Sequence, residues 1–121
     1  LNNVAKGIKR DQLPYAMWMY QVVVRDMLEK MIDWTIGIEN NFSVTVGMKG
    51  KYYKKYMSED MYELYSKTFF DGDYTHLWEA IYASCALFRT TAQRVALHFD
   101  FVYNVNDDRN IEAYLNRMRR R

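Results

Sequence analysis

The sequence predicts an all-α domain, a helical bundle of about five helices, two of them long, with an irregular, basic and tyrosine-rich connection. Three observations predict this class. One proline and five glycines in 121 residues are too few for a turn-rich β-sandwich. Half of the residues are hydrophobic, which is enough for a core in a single domain of this length. Apolar side chains recur every three or four residues along two long segments, the period of a helix with one buried face.

A short helix over residues 2–10 precedes the first long helix, which is predicted to begin at Pro14. Proline suits the first turn because its missing N–H would have no partner there. The apolar stripe continues to about Ile36, and Gly37 is expected to end the helix. The valines from Val22 to Val24 would also suit a strand, but the longer helical period outweighs them. The predicted buried face consists of Tyr20, Val23, Val24, Met27, Leu28, Met31 and Ile32.

Residues 38–57 form the irregular connection, in which the stretch from Ser43 to Val46 is expected to be extended. Ser58 is a good N-cap for a short helix, because acidic residues follow it in the first turn and favour the helix dipole. This helix is predicted to run to about Phe69. The two halves of the bundle are thus joined through a segment that has no regular period.

The second long helix is predicted to start near Thr75, after a turn over residues 70–74. A loop over residues 100–107 leads to the last helix, which is expected to begin at Asp107 or Asp108. The predicted buried face of the second long helix contains Leu77, Trp78, Ile81, Cys85, Phe88, Ala92, Val95, Ala96 and Phe99. The last helix is expected to bury Ile111, Tyr114, Leu115 and Met118.

The composition excludes several classes of protein. Cys85 is the single cysteine, so an internal disulfide and a cysteine-rich zinc site are excluded, which fits a reducing cytoplasm. The net charge of +2 is too small to indicate nucleic-acid or membrane binding unless the charge is clustered. The apolar runs are far shorter than a membrane span. With a single cysteine the chain is expected to be cytoplasmic. The sequence opens at Leu1 without a methionine or a capping pattern, so we expect it to be a piece of a longer protein.

Asp71-Gly72-Asp73 has the D-x-D spacing that can hold Mg²⁺ and a triphosphate. In polymerase-type nucleotidyltransferases such a pair lies on a strand shortly after a Gly-Ser turn, and neither feature is present here. A turn followed by a helix N-cap is therefore the favoured interpretation. His76 and Glu79 have the spacing of some helical metal ligands, but they are too few to form a site. We predict no metal ligand and no catalytic residue in this chain.

The segment from Lys49 to Tyr56 alternates basic and aromatic residues. Such a segment can bind single-stranded nucleic acid through stacking and phosphate contacts, or it can line a triphosphate site. The favoured interpretation is a solvated basic turn with inward-packed tyrosines. A stand-alone helical binding module that uses residues 49–56 remains the alternative function.

Several sequence blocks follow one another over essentially all 121 residues. They are Val4-Ala5-Lys6-Gly7, Leu13-Pro14-Tyr15-Ala16, Asp33-Trp34-Thr35-Ile36-Gly37-Ile38-Glu39, Phe42-Ser43-Val44, Gly50-Lys51-Tyr52-Tyr53-Lys54-Lys55-Tyr56, Tyr74 with Leu77-Trp78-Glu79-Ala80, Leu87-Phe88-Arg89-Thr90 and Asn106-Asp107-Asp108-Arg109-Asn110. In this order they resemble the C-terminal helical domain of the aminoglycoside 6-adenylyltransferases that act on streptomycin.

The resemblance implies a two-domain resistance enzyme that transfers AMP from ATP to a hydroxyl of streptomycin with the help of Mg²⁺ and releases pyrophosphate. Its N-terminal nucleotidyltransferase domain, which carries the metal-binding carboxylates, is absent from residues 1–121. The present chain is therefore expected to be the C-terminal helical domain that closes over nucleotide and drug, and to be inactive alone. ATP and Mg²⁺ would bind only in the longer enzyme.

The resemblance also suggests two binding residues. Lys6 matches the place of a lysine that reaches the triphosphate in related nucleotidyltransferases. Asp11 is a candidate partner for a guanidinium of streptomycin, which favours bidentate carboxylates. A helix N-cap or a solvated side chain remains the alternative for Asp11. The acceptor also stays open, because a relative with the same fold can act on another hydroxyl.

Overall fold

The computed structural model is a helical bundle, as the sequence predicts. It describes residues 1–45, 47, 50–100, 102 and 105–120, except the side chains of residues 2, 105 and 108. These residues contain no strand. The helices are α1 (Asn2–Lys9), α2 (Leu13–Met19), a π-helical segment (Tyr20–Val24), α3 (Arg25–Glu39), α4 (Tyr53–Tyr56), α5 (Glu59–Ser66), α6 (Tyr74–Phe99) and α7 (Val105–Arg120).

The two predicted long helices are present. The first is the uninterrupted run of α2, the π-helical segment and α3, and the second is α6, which has 26 residues. Tyr20 near the start of the first helix bonds Ser84 of α6, and the Trp34 ring near its end contacts the Phe99 ring. Early residues meet early residues and late residues meet late ones, so the two long helices run parallel.

The π-helical segment corrects the predicted buried face of the first long helix. The Arg25 backbone N–H donates to the Tyr20 carbonyl five residues earlier, the hydrogen bond of a π-helix. The extra residue turns the helix, so Tyr20, Arg25 and Leu28 are buried while Val23 and Met27 are exposed. A purely helical period places Val23 and Met27 in the core, which is wrong for that physical reason.

Gly37 does not end α3, which continues to Glu39. Asn41 and Phe42 instead turn the chain with positive φ, and the Phe42 N–H donates to the Gly37 carbonyl at 2.7 Å. A Cβ on Gly37 would lie 2.6 Å from two carbons of the Phe42 ring. The glycine therefore makes room for a ring that folds back onto the helix.

The described residues form two hydrophobic clusters along the bundle. The first joins α1, α2, α6 and α7, and the second joins α3, α4, α5 and α6. The buried members of the first include Val4, Ile8, Ala16, Tyr20, Leu77, Ile81 and Leu115. Those of the second include Leu28, Ile32, Ile36, Tyr53, Tyr65 and Leu87. Among the helices that the structure describes, none has an apolar stretch that would span a bilayer.

The buried face of α6 contains two hydroxyl residues that a hydrophobic pattern overlooks. Ser84 donates to the Ala80 carbonyl and Thr91 to the Leu87 carbonyl, so both hydroxyls are satisfied within the helix and can be buried. The predicted face was correct for Leu77, Trp78 and Ile81, whereas Cys85, Phe88, Ala92, Val95 and Ala96 are only partly buried and Phe99 is exposed.

Other predicted helix ends shift by a few residues. The helix capped by Ser58 ends at Ser66 instead of Phe69, because the Thr68 amide and hydroxyl both donate to the Tyr65 carbonyl and close a turn.

The last helix begins at Val105, because acidic residues favour the first turn as well as the cap. Its Leu115 is buried and Ile111 is exposed, since Glu112 points toward α6 at that level and pairs with Arg89.

The expected extended stretch is only partly described. Ser43 to Thr45 forms no strand, and Val46 lies outside the described residues.

Candidate functional site

The turn between α1 and α2 holds Asp11 beside the start of α6. The Asp11 N–H donates to the Ile8 carbonyl, and Asp11 itself has a φ of 51°. A Cβ on Gly7 would lie 2.9 Å from the Ala16 Cβ, so glycine allows the two helices to cross closely. The Tyr74 hydroxyl donates to Asp11 Oδ1 at 2.9 Å. The carboxylate is thus exposed but oriented, and it is not an N-cap, because Gln12 occupies that position.

Lys6 lies on the exposed face of α1, opposite the buried Val4, Ala5 and Ile8. Within the described part of the chain, no hydrogen bond or ion pair involves its ammonium group. Lys9 and Arg10 are exposed on the same short helix and its end, and Lys9 Nζ donates to the Arg119 carbonyl of α7 at 3.4 Å. We call Lys6, Lys9 and Arg10 the basic strip. Ammonium and guanidinium groups of this kind bind phosphate oxygens.

Asp71, Gly72 and Asp73 form a turn and a helix cap, so the favoured interpretation of the D-x-D is confirmed. Asp73 Oδ1 accepts from the Thr75 N–H at 2.7 Å and caps α6. Asp71 Oδ1 accepts from the Asp73 N–H at 3.1 Å, and Gly72 has a φ of 97° that suits glycine.

Asp71 also forms a pair with His76. Asp71 Oδ1 lies 2.8 Å from His76 Nδ1, and both side chains are exposed. This hydrogen bond and the attraction between the charges lower the pKa of Asp71 and raise the pKa of His76. The described residues contain no group of three or more His, Cys, Asp or Glu side chains that could hold a metal ion.

An open groove lies between the α5–α6 connection and the first turns of α6. Its volume is about 700 Å³. His76, Glu79 and Ala83 line one side, because their spacing places them on one face of α6. The other lining residues are Lys67, Phe69, Phe70 and Asp71. The sequence pattern indicated His76 and Glu79 only as possible metal ligands. It did not indicate Phe69 and Phe70, which come after the end of α5 and belong to no periodic apolar stripe.

The first long helix carries a second polar region, where it faces α4 and α5. Arg25 Nη1 lies 3.9 Å from Oε1 of Glu29, which is one turn later on the helix. The Tyr65 hydroxyl donates to Glu29 Oε2 at 3.4 Å. The Tyr53 hydroxyl donates to Asp33 Oδ1 at 2.5 Å. Burial raises the pKa of Asp33, and burial together with the Asp33 carboxylate raises the pKa of Tyr53. These contacts fasten α4 and α5 to α3.

The basic and aromatic segment packs mainly against the bundle. Tyr53 is buried and Tyr56 is half-buried against the second hydrophobic cluster, while Tyr52 is exposed. Lys51 and Lys55 lie over neighbouring tyrosine rings, at 5.8 and 5.2 Å from the ring centroids. Lys49 lies outside the described residues. The inward-packed arrangement of the tyrosines is thus present for two of the three, which leaves one exposed ring for stacking.

Comparisons with known proteins agree with the resemblance seen in the sequence. The family model described as streptomycin adenylyltransferase matches residues 1–118. An aminoglycoside 6-adenylyltransferase of Campylobacter jejuni is 32% identical over 98% of this chain and 41% of the relative. One from Staphylococcus aureus is 27% identical over 93% of this chain and 39% of the relative.

A crystal structure of an aminoglycoside 6-adenyltransferase from Bacillus subtilis shares the fold. It superimposes with a TM-score of 0.82 and 26% identity, covering 97% of this chain and 44% of the other. The chain thus spans about two fifths of the length of these relatives. The family match over nearly the whole chain, together with the shared fold, shows that this chain belongs to the streptomycin adenylyltransferase family.

Proposed function

We propose that this chain is the C-terminal helical domain of an aminoglycoside nucleotidyltransferase that transfers AMP from ATP to a hydroxyl of streptomycin. One structural observation supports the proposal in addition to family membership. Exposed groups of opposite charge lie at the same end of the bundle. The basic strip is on α1, and Asp11, at the end of the α1–α2 turn, is bonded to Tyr74 at the start of α6. A triphosphate and a polycationic drug need these two surfaces side by side.

The proposed reaction is displacement at the α-phosphorus of ATP. The drug hydroxyl oxygen forms a bond to that phosphorus, the bond to the bridging oxygen breaks, and pyrophosphate leaves as the hydroxyl proton passes to a base. Lys6 would donate to phosphate oxygens and offset their charge, and Asp11 would accept from a guanidinium of the drug. Mg²⁺ would supply further neutralisation of the phosphates. The described residues do not form a site for it, and we propose that its ligands belong to the rest of the longer protein.

The test uses the longer protein that we propose contains this chain. With ATP and streptomycin it should release pyrophosphate and yield a product whose mass exceeds that of the drug by one adenylyl group. A panel of other aminoglycosides tests the acceptor. Absence of pyrophosphate release with every member of the panel would contradict the proposal. The 121-residue chain alone is the control, and we expect it to be folded and inactive.

A further inference from the structure

We propose that the groove between the α5–α6 connection and α6 binds a cationic, hydroxyl-bearing ring of the aminoglycoside, with Glu79 accepting from its charged group. This inference rests on the proposed function, because it assigns a place on this chain to the substrate of that reaction. The groove is large enough for one ring, with a volume of about 700 Å³.

Two phenylalanines form the apolar walls, and the fold fixes both of them. Phe69 is 55% exposed, yet the guanidinium carbon of Arg25 lies 3.9 Å from its ring centroid on the inner side. Arg25 is 3% exposed, and its Nε has no partner among the described residues. The Phe70 ring packs edge to face against the Tyr20 ring, with 5.9 Å between the two ring centroids. The rings are therefore preformed surfaces for the C–H face of a ligand.

The Arg25 guanidinium behind the Phe69 ring also determines where the charge of a ligand would lie. Arg25 already occupies the inner face of this ring, and a second cation on the outer face would meet its repulsion. The apolar side of a ligand ring should therefore lie on Phe69. Its charged group should turn toward the Glu79 carboxylate on α6.

Glu79 is the carboxylate in the groove that is available to a cation. It is exposed, and no hydrogen bond or ion pair joins it to another described residue. Lys67 across the groove, at the C-cap of α5, pairs with Glu63 of that helix, with 3.8 Å between its Nζ and Glu63 Oε1, and not with Glu79. A guanidinium can form two parallel hydrogen bonds to such a carboxylate.

His76 and Asp71 supply the remaining polar contacts of the groove. His76 uses Nδ1 for Asp71, which leaves Nε2 for a ligand hydroxyl. The carboxylates of Asp71 and Glu79 would repel a phosphate, so the groove selects against nucleotides and nucleic acids. Its chemistry therefore differs from that of the basic strip on α1.

The experiment is a calorimetric titration of the 121-residue chain with streptomycin, beside trehalose as an uncharged sugar. Glu79→Gln should weaken streptomycin binding about fivefold, because the charge-assisted bonds are lost from an exposed site. Glu59→Gln, which removes the same charge from an exposed position on α5 outside the groove, should leave the affinity unchanged. Circular dichroism confirms that both variants are folded. Trehalose should not bind measurably.

The outcomes separate this inference from the proposed function. Equal affinities for the wild type and both variants, or no binding of streptomycin, would overturn the groove assignment. Turnover by the longer protein with an unchanged drug KM in Glu79→Gln would also overturn it while the proposed function stands. If Glu79-dependent binding occurs and the longer protein transfers no AMP, the reaction is wrong and the groove assignment holds.

Discussion

Polar side chains serve two different purposes in this bundle, one in its interior and one at its charged end, which carries the basic strip, Asp11 and the groove. In the interior, Tyr20, Arg25 and Thr68 are buried, and the Tyr20 hydroxyl lies 2.5 Å from the Thr68 carbonyl and 2.8 Å from Ser84 Oγ. At the charged end, Lys6 and Glu79 are exposed and have no ion pair among the described residues.

This comparison indicates which side chains stabilise the fold and which are available to bind a ligand. A buried hydroxyl or guanidinium is costly unless the fold satisfies it, so these interior groups are bonded to one another, apart from Arg25 Nε, which has no partner among the described residues. An exposed charge costs the fold almost nothing, and its unused bonding capacity remains for a ligand. Substitutions in the interior should therefore change the free energy of unfolding. Those at the charged end should change binding and leave the free energy of unfolding nearly constant.

The largest expected effect is that of Tyr20→Phe. The substitution removes a buried hydroxyl and leaves the Thr68 carbonyl without it, which should lower the free energy of unfolding by about 2 kcal/mol. Urea denaturation measures the loss. Tyr82→Phe is the matched control, because its hydroxyl bonds Asn116 at the surface, and its effect should be below about 0.5 kcal/mol. Equal losses in both variants would contradict the contrast.

Lys6→Ala should come next, with an effect on the reaction alone. In the longer protein, losing one ammonium near the triphosphate should lower kcat/KM for ATP about tenfold. Steady-state kinetics with varied ATP measures this effect. The free energy of unfolding should change by less than about 0.5 kcal/mol. Lys9→Ala is the control within the basic strip, since Lys9 already donates to the Arg119 carbonyl, and a smaller effect is expected. An unchanged kcat/KM for Lys6→Ala would remove the assignment.

Asp11→Asn should have a smaller effect, on the drug side. The carboxylate is exposed, so its loss should raise the KM for streptomycin about threefold with the KM for ATP unchanged. Tyr74→Phe tests the orientation of that carboxylate, because it removes the hydrogen bond to Oδ1 and keeps the charge. It should raise the KM for the drug less than Asp11→Asn does. A drug KM that is insensitive to Asp11→Asn would show that the carboxylate is only solvated.

The smallest effect concerns the pair of Asp71 and His76. The folded pKa of His76 is raised, so its contribution to stability is present below the unfolded pKa and lost as the pH rises through the folded value. The pKa of Asp71 is lowered, so its contribution is lost as the pH falls through its folded value. The pair therefore stabilises the fold only between these two limits, at mildly acidic pH.

An NMR titration of His76 measures that pair directly. Asp71→Asn removes the hydrogen-bonding carboxylate and should lower the pKa of His76 toward the ordinary histidine value. Asp73 and Glu79 also raise the pKa of His76, so part of the shift should remain. A pKa that is the same in both proteins would mean that the hydrogen bond does not form in solution.

Whether a feature of the fold could be predicted from the sequence depended on the kind of signal that the sequence carries for it. The long helices followed from the spacing of apolar residues, and Ser58 and Asp73 were recognisable as caps because their oxygens suit the first free N–H groups. The buried Arg25 was not readable, because a one-residue π insertion leaves no mark in the pattern of residue types. Gly37 resembles a helix stop, but its purpose depends on Phe42, which only the folded chain places against it.

The candidate site was less accessible to sequence reasoning than the fold. Lys6 and Asp11 came from the resemblance to a family, and their functions remain proposals. The Asp11–Tyr74 contact joins residues 63 positions apart, and no local spacing indicates it. The groove depends on Phe69 and Phe70 lying beside His76 and Glu79, which requires the turn after α5 to fold back along α6.

The most direct test of the contrast is an NMR titration of the ¹⁵N-labelled longer protein, which we propose contains this chain, with ATP and, separately, with streptomycin. The account predicts that ATP shifts the amide signals around Lys6 on α1 and that streptomycin shifts those of the groove and of Asp11. Signals of the interior around Tyr20 and Arg25 should stay in place. Ligand-induced shifts confined to the interior or to the opposite end around Trp34 and Phe99, or no shifts with either ligand, would contradict the account.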